Sequence, residues 1–430
     1  MISQITQLRA YFPILYIGLS AALSMAGYES VRSASNTLFT ASYGTENLPF
    51  IMAIMPLGAF TVIFFYGKLL SWLGPKRTLF WTQLGSGITL FALYYLINLG
   101  FKPAAGLLYI FRETYVVLII EQYWSFINSS YSSAEVKKWS GFLIGVSSTG
   151  AVVGGLIMKD LVLEIGTLGA IFAAGLALIP AAFMSNFAFL SDKSQNILDQ
   201  QFANPQNHSP GIDTVGFKEL LRTPLLRMIV STVFLSQVIS SVLYLCFQTY
   251  LQQLIPDADK QTSYSLNFYA ILNAVSAVCQ FVLVPLSLYF FRIFTLQLLV
   301  PILNLGFCVA AILYPSMATV GLAFMMFKVF DYSFFRASKE VLYVPLSLDV
   351  RYRTKEFIDV FVYRFSKGAT STAIFILQKL GLGLAGYYGQ IAAVAALAWS
   401  GALFAYHDSF KNIKDDQPSK NQSTAPVHQG

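Results

Sequence analysis

The stretch from Lys328 to Ala369, KVFDYSFFRASKEVLYVPLSLDVRYRTKEFIDVFVYRFSKGA, sets two strongly apolar segments one after the other and loads both with charge. The first carries Lys328, Asp331, Arg336, Lys339 and Glu340, and the second carries Asp359, Arg364 and Lys367. A Lys, Arg or Asp at the centre of a membrane helix costs roughly 2.5 to 3.5 kcal/mol on insertion scales. Such residues are kept only where they face one another, water or a solute, so they mark an interior surface.

The rest of the chain supplies the membrane context. Of its 430 residues 56% are apolar and only 11% charged, which excludes an ordinary soluble globular make-up. Apolar segments long enough to cross about 30 Å of hydrocarbon fall near 11–38, 48–70, 78–99, 104–130, 139–158, 166–190, 225–252, 265–289, 295–314, 318–344, 357–380 and 386–406. The fold class expected is therefore all-α, a polytopic membrane protein of twelve transmembrane helices in two six-helix halves. The first segment is too long for a signal-peptide core and lacks a small-residue cleavage site, so it is read as a retained span. The expected division is an N-terminal half over 1–190, a cytoplasmic linker over 191–222 rich in Asn, Gln, Ser and Pro, a C-terminal half over 223–408, and a disordered cytoplasmic tail over 409–430.

Lysine and arginine set the orientation. With both termini cytoplasmic, the inner loops and ends hold 17 basic residues and the outer loops hold 3, namely Lys102, Lys159 and Lys260. The net charge of +7 thus reports topology in an inner (plasma) membrane and not a nucleic-acid surface. Cys246, Cys279 and Cys308 lie inside apolar segments without ligand spacing and read as packing residues, while His208, His407 and His428 fall in or beside polar loops and the tail. No metal and no cofactor is expected. No phosphate-binding GxxxxGK[ST] loop, HExxH pair or nucleophile elbow occurs, so the chain is read as a non-enzyme. Oligomeric state is not legible.

Several local patterns bear on the architecture. Gly67 to Arg77, with Gly74, Pro75, Lys76 and Arg77 closing it, resembles the major-facilitator pattern of two glycines and a basic pair around a tight turn, though Ser71 stands where an acid is usual. A shift of 218 positions lays Lys137, Ser148, Gly150 and Ala151 on Lys355, Ser366, Gly368 and Ala369. With two sets of six spans, this favours related halves with a site between them near mid-membrane. Gly150 and Gly154 read as close helix packing.

The charges inside the spans number eight basic and six acidic. Facing lipid at about 2.5 kcal/mol each, they would cost about 35 kcal/mol, more than the net stability of a fold. Most must line a cavity, and a positive cavity suits a multiply charged anion gripped through phosphate or carboxylate oxygens. Glu29 and Arg32, three apart, share a face and read equally as a structural ion pair or as substrate contacts. Arg112 and Glu113 point about 100° apart and are expected to serve different partners. Lys328 and Lys339, eleven apart, fall on one stripe flanked by Asp331 and Arg336, and Arg336 and Glu340 are spaced to neutralise each other. Lys379, at a span end, reads as snorkelling.

Ser338-Lys339-Glu340, Tyr343, Pro345-Leu346, Ile358-Asp359-Val360 and Lys367-Gly368 resemble the signature run of the nonmitochondrial ATP/ADP translocases of plastids and obligate intracellular bacteria. Phe111-Arg112-Glu113, the run from Tyr123 to Asn128, and Ala134 to Lys138 resemble the same family more loosely. The resemblance implies a nucleotide carrier, an ATP/ADP-antiporter-like protein. It maps two of that family's four transport-linked charges onto Glu113 and Lys339, and the other two onto Ser35 and Tyr244, which are uncharged here. The substrate-binding set expected is Arg32, Glu113, Lys328, Arg336, Lys339, Glu340, Asp359, Arg364 and Lys367. Two alternatives stay open: a proton-coupled carrier of another organic anion or phosphorylated metabolite, and a non-transporting membrane receptor or assembly factor.

Overall fold

The computed structural model describes residues 2–131, 133–191, 223–346, 350, 354, 355 and 357–411. The expected linker apart from Ser191, and the expected tail beyond Lys411, lie outside the described residues. Helix dominates, and no strand occurs among the described residues. The structure is thus all-α, with the long apolar helices of a polytopic membrane protein.

Ten helical stretches are long and apolar enough to cross a membrane. One of them, Trp139–Phe189, bends at Gly166, where φ of 76° is open to glycine but strained for any side chain, and so counts as two crossings. The helix Leu48–Asn98 bends in the same way at Gly74, φ 72°, between spans Thr45–Gly74 and Arg77–Asn98. Thr78 Oγ1 closes that turn by donating to the Gly74 carbonyl at 2.6 Å. Of the glycines in this loop, Gly74 is the one its geometry requires; a Cβ on Gly67 would meet nothing within 4 Å.

The twelfth crossing to account for is the charged one. Phe357–Lys379 opens with a π-helical segment, Phe357–Val362, and continues as an α-helix from Tyr363, but Asp359, Arg364 and Lys367 keep it off the apolar tally. It packs against the second crossing through Phe50–Phe375 at 5.2 Å, Phe60–Phe361 at 6.5 Å, and Gly368 against Pro56. The fifth crossing packs on the first where a Cβ on Gly150 or Gly154 would collide with the backbone of Ala22 or Ala26. The small-residue reading of that pair is the observed one.

Buried side chains form two clusters. One gathers residues of the first six crossings with Leu266; the other gathers the last six with Phe39, Leu48, Ile51, Met52, Met55 and Tyr109. The polar side chains of the first, fourth, seventh, tenth and eleventh crossings meet between them.

Candidate functional site

Arg32, Arg112, Lys328 and Lys367 each sit roughly ten residues from a span end, about 15 Å at 1.5 Å per residue, which is the middle of the hydrocarbon. The first crossing arrives there with an unusual run for a membrane helix, Ser33, Ser35, Asn36 and Thr37, all buried. Arg112 of the fourth crossing uses that run. Its guanidinium donates to the Arg32 carbonyl at 2.8 Å, to Ser35 Oγ at 2.9 Å and to Asn36 Oδ1. The Tyr244 hydroxyl of the seventh crossing donates to the same Asn36 oxygen at 2.6 Å and lies 3.0 Å from the Tyr109 hydroxyl, while the guanidinium rests 3.9 Å over the Tyr109 ring. Ser35 and Tyr244, the two positions where the resemblance loses a charge, therefore belong to one cluster tied together through Arg112 and Asn36.

Arg112 and Glu113 do not serve wholly separate partners, as their angular separation predicts. The flexible guanidinium folds back, and Nε stands 3.4 Å from Glu113 Oε1. Glu113 also lies in the field of Lys367, Arg32 and Lys328.

Arg32 and Glu29 resolve as a paired unit. Their ion pair is 2.6 Å, Asn273 Nδ2 of the eighth crossing donates to Glu29 at 2.9 Å, and the Arg32 guanidinium lies 3.6 Å over the Tyr269 ring. The pair thus bridges the two sets of six crossings, and its partners fix its geometry.

The expected single stripe on the tenth crossing is not observed. Asp331–Phe335 is a π-helical segment, and its wider turn uses up residues that an α-helix would spend on advancing around the axis. The eleven-residue spacing no longer returns Lys339 to the line of Lys328. Lys328 Nζ instead donates to Ser240 Oγ on the seventh crossing at 2.8 Å, whereas Lys339 pairs with Asp359 on the eleventh. Arg336 and Glu340 do not neutralise each other: Glu340 binds Lys355 at 2.6 Å, and Arg336 is exposed. Lys379 is exposed at its span end, 5.4 Å over Phe375, as expected of a snorkelling lysine.

Four carboxylates in the spans, Glu29, Glu113, Asp359 and Glu340, are matched by Arg32, Arg112, Lys339 and Lys355. Lys328, Arg336, Arg364 and Lys367 make no ion pair among the described residues. Asp331, 7% exposed, makes none either, with Lys328 the neighbouring charge acting on it most strongly. Arg364 lies in the field of Glu113 and Glu121. What remains after pairing is an excess of positive charge between the fourth, tenth and eleventh crossings. Two clefts lie elsewhere: one of about 340 Å³ by Glu46, Lys379 and Leu384, and one of about 620 Å³ between Phe65, Trp81 and Phe111 on the outer face of the second to fourth crossings.

Sequence reasoning missed Asn36, Tyr109, Ser240, Tyr269 and Asn273. The clue for Asn36 was available in the polar run of the first crossing; the others are neutral residues whose role depends on distant partners. Among the described residues no group of His, Cys, Asp and Glu is placed to hold a metal.

No family model matches this sequence, and no curated protein matches it. Solved structures do. The nucleoside transporter NupG superposes with a TM-score of 0.65 at 12% identity, over 93% of this chain and 99% of that one. A D-xylose-proton symporter gives 0.63 at 15%, over 91% and 97%. A bacterial homologue of the iron transporter ferroportin, in an inward-facing state, gives 0.66 at 13%, over 92% and 98%. At these identities the likeness is one of fold, and it extends over nearly the whole chain.

Proposed function

We propose that this protein is a membrane carrier that moves a phosphorylated metabolite, a nucleotide in the first place, by alternating access between two six-helix halves. The observation that carries the reading is the unmatched positive charge at mid-membrane. Three cations without an ion pair among the described residues, Lys328, Arg364 and Lys367, held where water is scarce, favour a polyanion strongly, because charge-assisted hydrogen bonds gain most where the dielectric is low. The fold supports the carrier part, since NupG, the xylose symporter and the ferroportin homologue are transporters by name.

In this reading Lys328, Lys367 and Arg364 meet the phosphates first, with Arg336 at the edge. Lys339 takes part by exchanging Asp359 for a phosphate oxygen, so the pair acts as a counter-charge for the empty site. Glu113 plays the same part for Lys367. The cations left unmatched make the empty cavity rock less readily than one filled by an anion, which is how strict exchange of the ATP/ADP kind arises. Arg32 and Arg112, fixed by Glu29 and by Asn36, shape the cavity and set its field. Glu340, paired with Lys355, holds the end of the tenth crossing. Both termini are placed in the cytoplasm of a plasma membrane on the basic-residue asymmetry.

The test is counterflow of labelled ATP, ADP and other nucleoside phosphates in proteoliposomes, with the Lys367→Ala and Lys339→Ala proteins alongside. Uptake abolished in both while the proteins stay folded is the expected result; full uptake by either sinks the assignment of that residue. A second reading has one observation in its favour. Asp331 is a buried carboxylate without an ion pair, the kind of group that carries a proton in a symporter. Uptake driven by a pH gradient and lost in Asp331→Asn would select it. A non-transporting receptor requires the charges to be fully matched among themselves, which Lys328, Arg364 and Lys367 oppose.

A further inference from the structure

At one mouth of the molecule, residues 40–45, 159–167 and 252–263 come together, and the first six crossings meet the last six there. Helix ends leave unsatisfied backbone groups, and these are ordinarily met by residues of the same helix. Here they are met from the other set. The sixth crossing restarts after Gly166, so the Thr167 N–H is one of its free donors. Asp259, at the start of the eighth crossing, accepts from that N–H at 2.6 Å and from the Thr167 hydroxyl at 2.7 Å. Its own helix does not need it, because Asp257 already caps it by accepting from the Lys260 N–H at 2.9 Å.

Two more side chains repeat the pattern. Gln252 Nε2 donates to the Thr40 carbonyl near the end of the first crossing at 3.0 Å, and its Oε1 accepts from the Thr45 N–H at 3.2 Å. Ser263 donates to the Lys159 carbonyl at 2.6 Å. Beneath them the Thr262 hydroxyl donates to Thr37 at 2.9 Å and lies 3.0 Å from that of Thr167, all three buried. Each of these bonds joins the two sets, and each must break if the sets part at this mouth.

We infer that Asp259 is a helix cap supplied from the opposite half, and that with Gln252 and Ser263 it latches this mouth shut. A carboxylate at a helix N-terminus is favoured both by the free N–H groups and by the helix dipole, so it is the strongest element of the latch. Parting the halves exposes that N-terminus to water and leaves Thr167 uncapped. The inference rests on the rocking motion of the proposed carrier, and it assigns the residues that set how often this mouth opens. The basic-residue asymmetry places the mouth outside.

The experiment uses full-length protein with Cys246, Cys279 and Cys308 replaced by alanine and a reporter thiol at Ser265→Cys. Ser265 is buried, without a hydrogen-bond partner, and one turn below Thr262. A membrane-impermeant maleimide is applied in sealed vesicles to the side of this mouth. Asp259→Ala is expected to speed labelling about fivefold, the effect of losing a typical cap, and Asp259→Asn, which keeps an acceptor, by less. Asp257→Ala, which uncaps only its own helix, leaves the rate unchanged. Equal rates in Asp259→Ala and its parent overturn the latch, as does acceleration by Asp257→Ala to the same extent. Labelling needs no nucleotide, so a failure of nucleotide counterflow counts against the substrate and not against the latch.

Discussion

A buried ion pair and a buried lone cation respond to mutation in opposite ways, and this chain holds both within one field. Removing Glu29 leaves Arg32, 13% exposed, without its carboxylate, and breaking a buried pair of this kind costs about 3–5 kcal/mol. Glu29→Ala should therefore lower the melting temperature of purified protein sharply, and Glu29→Gln, which still accepts from Asn273, by less. Lys367→Ala removes a charge that has no ion pair among the described residues, so the melting temperature should hold or rise while nucleotide transport is lost. The same comparison applied to Lys339 and Asp359 distinguishes counter-charge from scaffold: Asp359→Asn, which frees Lys339, should raise nucleotide affinity and tighten exchange, read as slower efflux into nucleotide-free buffer. At this scale the sequence identified which residues carry charge but not who partners whom. Arg112 reaches Ser35 and Asn36 across some 76 positions of chain, and nothing in the spacing of either segment forecasts that contact.

Elements were more legible than contacts, because a crossing must be long and apolar whatever it packs against. The twelve expected spans have observed counterparts, including the eleventh, whose charges defeat a hydropathy threshold. What periodicity could not supply is the π-helical segment Asp331–Phe335 in the middle of the tenth crossing. A local widening leaves no mark on an apolar run, yet it is what turns Lys339 toward Asp359 instead of along the line of Lys328. Deleting Phe334 to restore an α-helical register should abolish transport while preserving helix content by circular dichroism. The packing of the fifth crossing on the first is equally specific. Gly154→Val forces a side chain against Ala26, where even a Cβ would stand 2.6 Å from the Cα, and should destabilise by about 1–3 kcal/mol in thermal unfolding.

For the whole molecule, matched charges hold the two sets of helices together, and under the proposed function the unmatched ones choose the cargo. Ties between the sets are neutral or paired: Arg32 with Glu29 and Asn273, Tyr244 with Asn36, Asp259 with Thr167. The excess positive charge lies where those ties stop. The most direct measurement is binding of ADP and of adenosine to the purified protein, followed by the shift in melting temperature, in the parent and in Lys328→Ala/Lys367→Ala. Ligand that binds the folded state alone raises that temperature in proportion to its affinity. ADP should stabilise the parent far more than adenosine does, and the doubly substituted protein should lose the difference. Equal stabilisation by adenosine and ADP, or an undiminished ADP shift without those two lysines, would contradict the account.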